Sequence, residues 1–455
     1  MNIIIVGAGK VGSKICQFLK DQKHKIAVID KNEKTLMALQ DEMKVKTFVG
    51  NGSIYDMQVK AGVQEADVFV AVTPEDEVNM IACVIANKLG AKTTIALVRN
   101  SDYHSHMEFA SIRLGVSMMI NPDYEAAQHI HRSLDFPNTL FVETFFNQKV
   151  NLLEIEIHEN SPLLHLSLID FRKLYPSILV CVHSRNHEST IPTGNHRLEK
   201  GDRIHILGPV EDLKDIQFHL YKQEKIQSLF IIGADRISRY LLEIIKDQAI
   251  DVCLIDNNQK IAENLSKKYP HMRIIHGDGK DTELLLRENL DSYEAFLSMT
   301  GNDSANIYLT EFARKRAIPK LMTKINGNKP YFLQSGHYFI EPEKNAAQAI
   351  IRYIRSINKS FGSNMEALYR IDDDDSIEFL QFYVRPHFQA IHIPLKNLFL
   401  KKDILIALIM RNKKCIIPTG DAYILPYDRV LLVTKNRTLN DLNTILEEGS
   451  DPWPI

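Results

Sequence analysis

The sequence predicts an α/β protein of two tandem units, each a doubly wound parallel sheet followed by a small α+β carboxyl-terminal module. Three observations carry that reading. In residues 1–123, and again in 224–343, short apolar runs bounded by turn residues alternate with stretches of helical spacing. That alternation is the pattern of a parallel sheet with helices on both faces. Features of the first half recur at a near-constant offset: Gly7 and Gly233 lie 226 residues apart, as do Asp30 and Asp256, while Asn79 and Asn306 lie 227 apart. The segments that follow each alternating region also match, with IPTG at 191–194 and again at 417–420. A register held within one residue across two kinds of sequence marks duplication of a whole two-part unit.

Taken in order, NIIIVG, KIAVID, VKTFVG, ADVFVAVT and TIALVR read as five strands buried on both faces. VGSKICQFLKDQ, KTLMALQDEM and VNMIACVIANKLG read as the helices between them. Residues 124–140 form a linking helix. The module 141–223 follows, in which NLLEIEI alternates and PSILVCVHSR, HESTIPT and GDRIHILG are short strands with turns at TGN and KGD. Residues 224–343 and 364–450 repeat the plan. Before the last module, IDDDDS (371–376) reads as a self-repelling linker, with a divalent-cation site as the alternative.

Composition removes several function classes. With 55 basic and 57 acidic residues the net charge is −2, which advertises neither nucleic-acid nor membrane-surface binding. An apolar fraction of 45% with 25% charged residues is an ordinary globular profile. Cys16, Cys83, Cys181, Cys253 and Cys415 are scattered without a CxxC pair and read as isolated thiols in a reducing compartment. The amino terminus lacks a signal-peptide pattern. Apolar stretches such as ILIALIM (404–410) fall far short of the ~20 residues a membrane span needs. A soluble chain without direct membrane insertion is expected.

The opening loop, GAGKVG, is the strongest functional signal. It follows a strand, opens a helix, and is followed by an acid, Asp30, at the end of the next strand. This context makes GxGxxG a Rossmann-like dinucleotide signature. Gly7 permits the tight turn, Gly9 lets backbone approach a pyrophosphate at the positive helix end, and Gly12 lets the helix pack near the sheet. Asp30 would accept hydrogen bonds from adenosine ribose hydroxyls and repel a 2′-phosphate, favouring NAD or NADH over the phosphorylated cofactor. Another adenosine nucleotide with a free ribose, such as ATP or ADP, fits the same first site. Thr73 and Pro74 end the fourth strand, and Arg99 ends the fifth, where ligands of such sheets sit. Arg99 suits a phosphate, a neighbouring subunit or a surface ion pair.

No reaction is visible beside this site. His104, His106, His129 and His131 are the obvious candidates, but the histidines of HSH and HIH are two apart, which on a helix faces them in different directions. There is no GxxxxGK[ST] loop, and no catalytic residue and no metal ligand is assigned. An NAD-dependent oxidoreductase remains the main rival reading, to be separated by cofactor turnover.

GAGKVG with Asp30, the GNGS after the third strand, VTPEDEVNM, and a module ending IPTG…LEKGDRIHILG resemble an RCK (regulator of potassium conductance) domain, here present as two tandem RCK units. The resemblance implies a non-enzymatic regulatory subunit, peripheral on the cytoplasmic face of a membrane potassium-translocating subunit of the Trk type. It implies a homo-oligomer, a tetramer whose eight units form a gating ring that changes shape with nucleotide. Family contact positions carry over onto Gly7, Ala8, Gly9, Lys10, Val11, Gly12, Asp30, Thr73, Pro74 and Arg99. A regulator of potassium efflux is the rival within the family.

In the second copy, GADRIS, Asp235 stands for Gly9 and Ser238 for Gly12, while Asp256 keeps the ribose position. The counterpart of Arg99 falls on Ile325 or, one place off, Lys324. Three outcomes stay open: an empty structural site, a ligand lacking a pyrophosphate at that point, or a dinucleotide with the loop displaced. The small modules read as packing and dimerisation units, with a second effector as the alternative. Trp453, in the tail SDPWPI, belongs to a loosely ordered terminus or a partner anchor.

Overall fold

The computed structural model describes residues 1–20, 24–100, 103, 113–186, 188–222, 225–327, 337–357, 365–371, 377–435, 439 and 441–447. The acidic run 372–375, His104, His106 and Trp453 lie outside these. The first sheet contains β1 (Asn2–Val6), β2 (Lys25–Asp30), β3 (Lys46–Val49), β4 (Val68–Ala71), β5 (Thr93–Leu97) and β6 (Met118–Ile120). All neighbours pair in parallel in the order β3-β2-β1-β4-β5-β6. This is the dinucleotide-binding strand order, whose reversal between β1 and β4 opens a crevice at the carboxyl ends of the strands. The five expected strands are present. The sixth has only three residues, too few to carry a periodic signal.

The first small module contains β7 (Phe141–Phe145), β8 (Val150–Glu156), β9 (Leu179–Arg185), β10 (Glu188–Thr190) and β11 (Arg203–Pro209), an antiparallel sheet in the order β10-β9-β11-β8-β7. The second half repeats both. Strands β12 (Ser228–Ile232), β13 (Asp251–Asp256), β14 (Arg273–His276), β15 (Ala295–Ser298), β16 (Lys320–Lys324) and β17 (His337–Ile340) form a parallel sheet of the same order. Strands β18 (Met365–Arg370), β19 (Glu378–Tyr383), β20 (Ile404–Arg411), β21 (Lys414–Ile416) and β22 (Arg429–Thr434) form the last antiparallel sheet.

The chain divides into two compact bodies that do not follow the duplication. One is Met1–Ala126 with Glu341–Ile354, and the other Ala127–Ile340 with Arg355–Ile455. The cause is an exchange of helices. Helix Pro122–Leu134 follows the first sheet and helix Pro342–Ile357 the second. In the first body, Ala346, Ala347, Ile350, Ile351 and Ile354 are buried with Ile3, Ile5, Ile15, Val70 and Leu97. Their spacing lays one apolar stripe of the second half's helix on the first half's sheet.

In the second body, Ala127, Ile130 and Leu134 are buried, Ser133 contacts Met322, and the Ile226 N–H donates to the Leu134 carbonyl. His129 is hydrogen-bonded to the Tyr338 hydroxyl, and the Gln248 amide donates to His131 Nε2 at 2.9 Å. Both histidines of HIH therefore hold this junction. The two antiparallel sheets also share a core in this body, where Phe145, Leu152, Val182 and Leu207 meet Phe379, Leu408, Leu431 and Val433.

Lys320 lies at the same junction. Its Nζ donates to the Phe136 carbonyl (3.1 Å), the Thr139 carbonyl (2.7 Å) and the Thr139 hydroxyl (3.3 Å). Burial pushes its pKa down to about 7. A lysine whose folded pKa lies below its unfolded one opposes folding fully below the folded pKa, and the penalty is relieved as pH rises above it. Relative to Lys320→Met, the native protein is expected to gain stability from pH 7 to pH 9 by up to about 1.4 kcal/mol per pH unit. Urea unfolding of both proteins at pH 6.5, 7.5 and 8.5 checks this; parallel curves would rule it out.

Candidate nucleotide site and its altered copy

The GAGKVG loop joins β1 to helix α1 (Lys10–Leu19). Two of its glycines are demanded by the protein itself. Gly7 has φ +105°, and a Cβ there would meet the Val72 carbonyl group at 3.0 Å. A Cβ on Gly12 would come 1.9 Å from the Gly7 oxygen. Gly9 differs: a Cβ on it would meet nothing within 4 Å. Its backbone is extended, it caps α1 without a side-chain hydrogen bond, and the first turn carries no acid. The first turn of the helix therefore offers its partial positive charge without an acid of its own and without a side chain at Gly9.

Asp30, at the end of β2, is held from two sides. Its carboxylate accepts from the Ala8 N–H at 2.6 Å and the Asn32 N–H at 2.7 Å, which fixes it beside the loop. Gly7 itself donates to the Ile29 carbonyl at 2.9 Å. Across the crevice, the Asn79 side chain accepts from the Thr73 N–H (2.8 Å) and hydroxyl (2.7 Å) and donates to the Thr73 and Leu97 carbonyls. Pro74 is exposed beside it. The Asp76 carboxylate accepts from the Arg99 N–H at 3.0 Å, and Arg99 Nη1 reaches the Thr73 carbonyl at 3.4 Å. Gly7–Gly12, Asp30, Thr73, Pro74 and Arg99 thus lie at the carboxyl ends of β1, β2, β4 and β5. Lys10 is exposed, whereas the Ala8 and Val11 side chains are buried, so only backbone of those two residues can meet a ligand.

The second copy keeps the frame and changes the loop. Gly233 has φ +99°, the Ala234 N–H donates to Asp256 at 2.6 Å, and Asn306 repeats the Asn79 contacts on Thr300. Asp235 caps helix Arg236–Ile245, accepting from the Ser238 N–H at 2.9 Å. Ser238 is not a neutral replacement. Its hydroxyl donates to the Gly233 carbonyl at 2.7 Å, in the place where a Gly12 Cβ would clash, so this helix stands farther from its loop.

The Asp235 charge is answered from the sheet, where Lys324 Nζ lies 2.5 Å from its second oxygen. Lys324 is not the counterpart of Arg99. Asn306 donates to the Lys324 carbonyl as Asn79 does to Leu97, and Asp303 accepts from the Asn326 N–H as Asp76 does from Arg99. Asn326 therefore matches Arg99, and Lys324 replaces a buried leucine. Sequence spacing missed this because the two halves differ by one residue in offset. A buried lysine opposite an aspartate in a glycine loop is the signal that could have found it.

Removing one partner of such a pair leaves the other uncompensated. Asp235→Ala is expected to cost about 2–3 kcal/mol, below the ~3–5 kcal/mol of a fully buried pair. Asp235→Gly with Lys324→Leu should recover most of it. Chemical denaturation of the two variants decides; equal losses would exclude the pairing.

A TrkA-N domain model matches residues 3–122 and 229–330, and a TrkA-C domain model matches residues 152–217. The Trk system potassium uptake protein TrkA homolog of Archaeoglobus fulgidus is 28% identical over 96% of this chain and 97% of its own length. The Trk system potassium uptake proteins TrkA of Vibrio alginolyticus and Halomonas elongata are 29% and 26% identical, over 83% and 99% of this chain and 86% and 99% of theirs. Among solved structures, the GsuK channel bound to NAD and the GsuK RCK domain each superpose with a TM-score of 0.60 over 95% of this chain, covering 76% and 92% of those chains. At 16% identity these two show the fold, a tandem RCK architecture. With two Rossmann-like units and its antiparallel modules, the chain belongs to the TrkA family.

Proposed function

We propose that this chain is the nucleotide-binding regulatory subunit of a membrane potassium-uptake system, and that it senses NAD or NADH, or an adenine nucleotide, at one site per chain. The observation that carries the reading is Gly9. Among the described residues no atom lies within 4 Å of where a Gly9 Cβ would stand, and the first turn of the adjoining helix carries no acid. A pyrophosphate supplies the missing charge. The fixed Asp30 carboxylate then accepts from the ribose hydroxyls, with Thr73, Pro74 and Arg99 lining the far side of the crevice. The relatives named as potassium uptake proteins and the neighbour titled as bound to NAD support the assignment of partner and ligand class. The working assembly is a homotetramer on the cytoplasmic face of a membrane partner. No helix among the described residues is long and apolar enough to cross a membrane.

The mechanism needs no bond to break. A nucleotide shifts a conformational equilibrium only by its differential affinity for the two states. A tenfold preference is worth about 1.4 kcal/mol. Four such sites sum to about 5.6 kcal/mol, close to the ~5.5 kcal/mol that moves a two-state equilibrium from 1:99 to 99:1. In the second copy Asp235 and Lys324 occupy each other, and that loop is silent toward dinucleotides.

Calorimetric titration with NADH, NAD and ATP is expected to give one nucleotide per chain, lost in Asp30→Ala and in Gly9→Asp, with no cofactor consumed. A stoichiometry near two would refute the silent second loop, and NADH turnover would revive the oxidoreductase. Asp235→Gly with Lys324→Leu tests the cause of silence and should raise the stoichiometry above one. Light scattering of the purified protein should give the mass of four chains.

A further inference from the structure

The two small modules share a clamp at matching positions. In the first, Arg185 donates to Asp202 through Nε (2.7 Å) and an Nη (2.8 Å), and the Glu199 N–H donates at 2.7 Å. In the second, Arg411 donates to Asp428 at 3.0 and 2.8 Å, and the Leu425 N–H donates at 2.8 Å. Beside the first clamp stand two imidazoles that the second lacks. His183 lies on β9 opposite Ile204, and Ile409 lies on β20 opposite Val430. The His196 N–H donates to Thr193 as the Ala422 N–H does to Thr419. The fold therefore stands with Ile409 and Ala422 at these places and does not need the histidines.

The two rings are 3.9 Å apart between centroids, and the buried His196 Nε2 has no hydrogen-bond partner. His183 is only 4% exposed and Asp202 fully buried. His183 Nε2 lies 3.0 Å from Asp202 Oδ2, and one ligand atom from each of His183, His196 and Asp202 falls within 4.8 Å of the others. The unpartnered His196 nitrogen, the His183 nitrogen and the Asp202 oxygen it faces supply three of the four donors of a tetrahedral metal site. At metal–ligand distances of about 2.0–2.2 Å, neighbouring ligands lie about 3.3 Å apart, so small rotations of the rings suffice.

We propose that His183, His196 and Asp202 bind one imidazole-preferring transition-metal ion, of the zinc class, in the first small module. The guanidinium on the same carboxylate disfavours an ion held by charge alone, and two nitrogen donors with one oxygen do not suit calcium or magnesium. The ion would tie strand β9 to the turn before β11 with a water as fourth ligand. The sequence reading assigned no metal, because residues 183, 196 and 202 match no ligand spacing.

The test is titration of the full chain, stripped with chelator, with zinc alone, and in separate arms with calcium and magnesium. One zinc per chain is expected, with affinity weakened about a hundredfold or more in His183→Ile with His196→Ala. These are the residues the second module carries, so folding should persist, checked by an unchanged melting curve in chelator. Cobalt substitution in the unaltered protein gives an independent readout, expected to show nitrogen and oxygen ligation without a thiolate charge-transfer band. The proposal fails if zinc does not bind, if the double variant binds it equally well, if cobalt reports thiolate, or if calcium or magnesium binds in preference.

Discussion

The separation between the Gly7 carbonyl and the Gly12 α-carbon governs the amino-terminal half. With no room for a Cβ, helix α1 starts against the loop and the loop's backbone is drawn over the sheet edge. Asp30 can then clamp the Ala8 N–H, and the helix start is left facing the crevice with Gly9 bare. In the second half a serine at the matching position inserts a hydroxyl between loop and helix, and the rest of that site differs accordingly. Asp235 moves in as cap, and Lys324 comes up from the sheet as its counter-ion. The second loop is thus satisfied by the chain's own side chains, where the first leaves Gly9 bare.

Comparison of the halves separates what the fold requires from what a site requires. The Asn79 and Asn306 contacts, the positive φ of Gly7 and Gly233, and the arginine–aspartate clamps of the two small modules appear in both copies. Each satisfies buried backbone or a buried carboxylate, and losing it leaves polar groups unpaired. The differences fall at a few matched places: Gly9 against Asp235, Leu97 against Lys324, and the paired imidazoles against Ile409 and Ala422. Where a charge has entered, as at Asp235, its counter-ion Lys324 has entered with it, so the pair diverges together.

Most of the fold was legible in the sequence because its signals are local. Buried parallel strands read as apolar runs, and the duplication placed each element twice, so a weak signal in one half was checked by the other. The three-residue strand β6 escaped, having too few residues for a period to show, and β7, though five residues long, was passed over. Asp30 and the glycine loop were legible because a turn, a helix start and a strand end lie within one βαβ unit. Lys324 was not, since its meaning depends on Asp235, 89 residues away, and on a one-residue change of offset. The helix exchange was hidden for the same reason: an amphipathic helix such as Pro342–Ile357 announces an apolar face but not the sheet that face will cover.

That exchange bears on why one chain carries the loop twice in different states. The first body is incomplete without residues 341–354, so its core closes only when the helix of the second half arrives. In the tandem chain the helix that completes the first core and the first glycine loop are separate stretches of sequence, so the two halves' loops can differ without changing that helix. The second loop is thereby free to become an internally neutralised strut while the first keeps its opening. The Gly7–Gly12 loop consequently belongs to a body whose core contains a helix continuous in sequence with β17 of the second half.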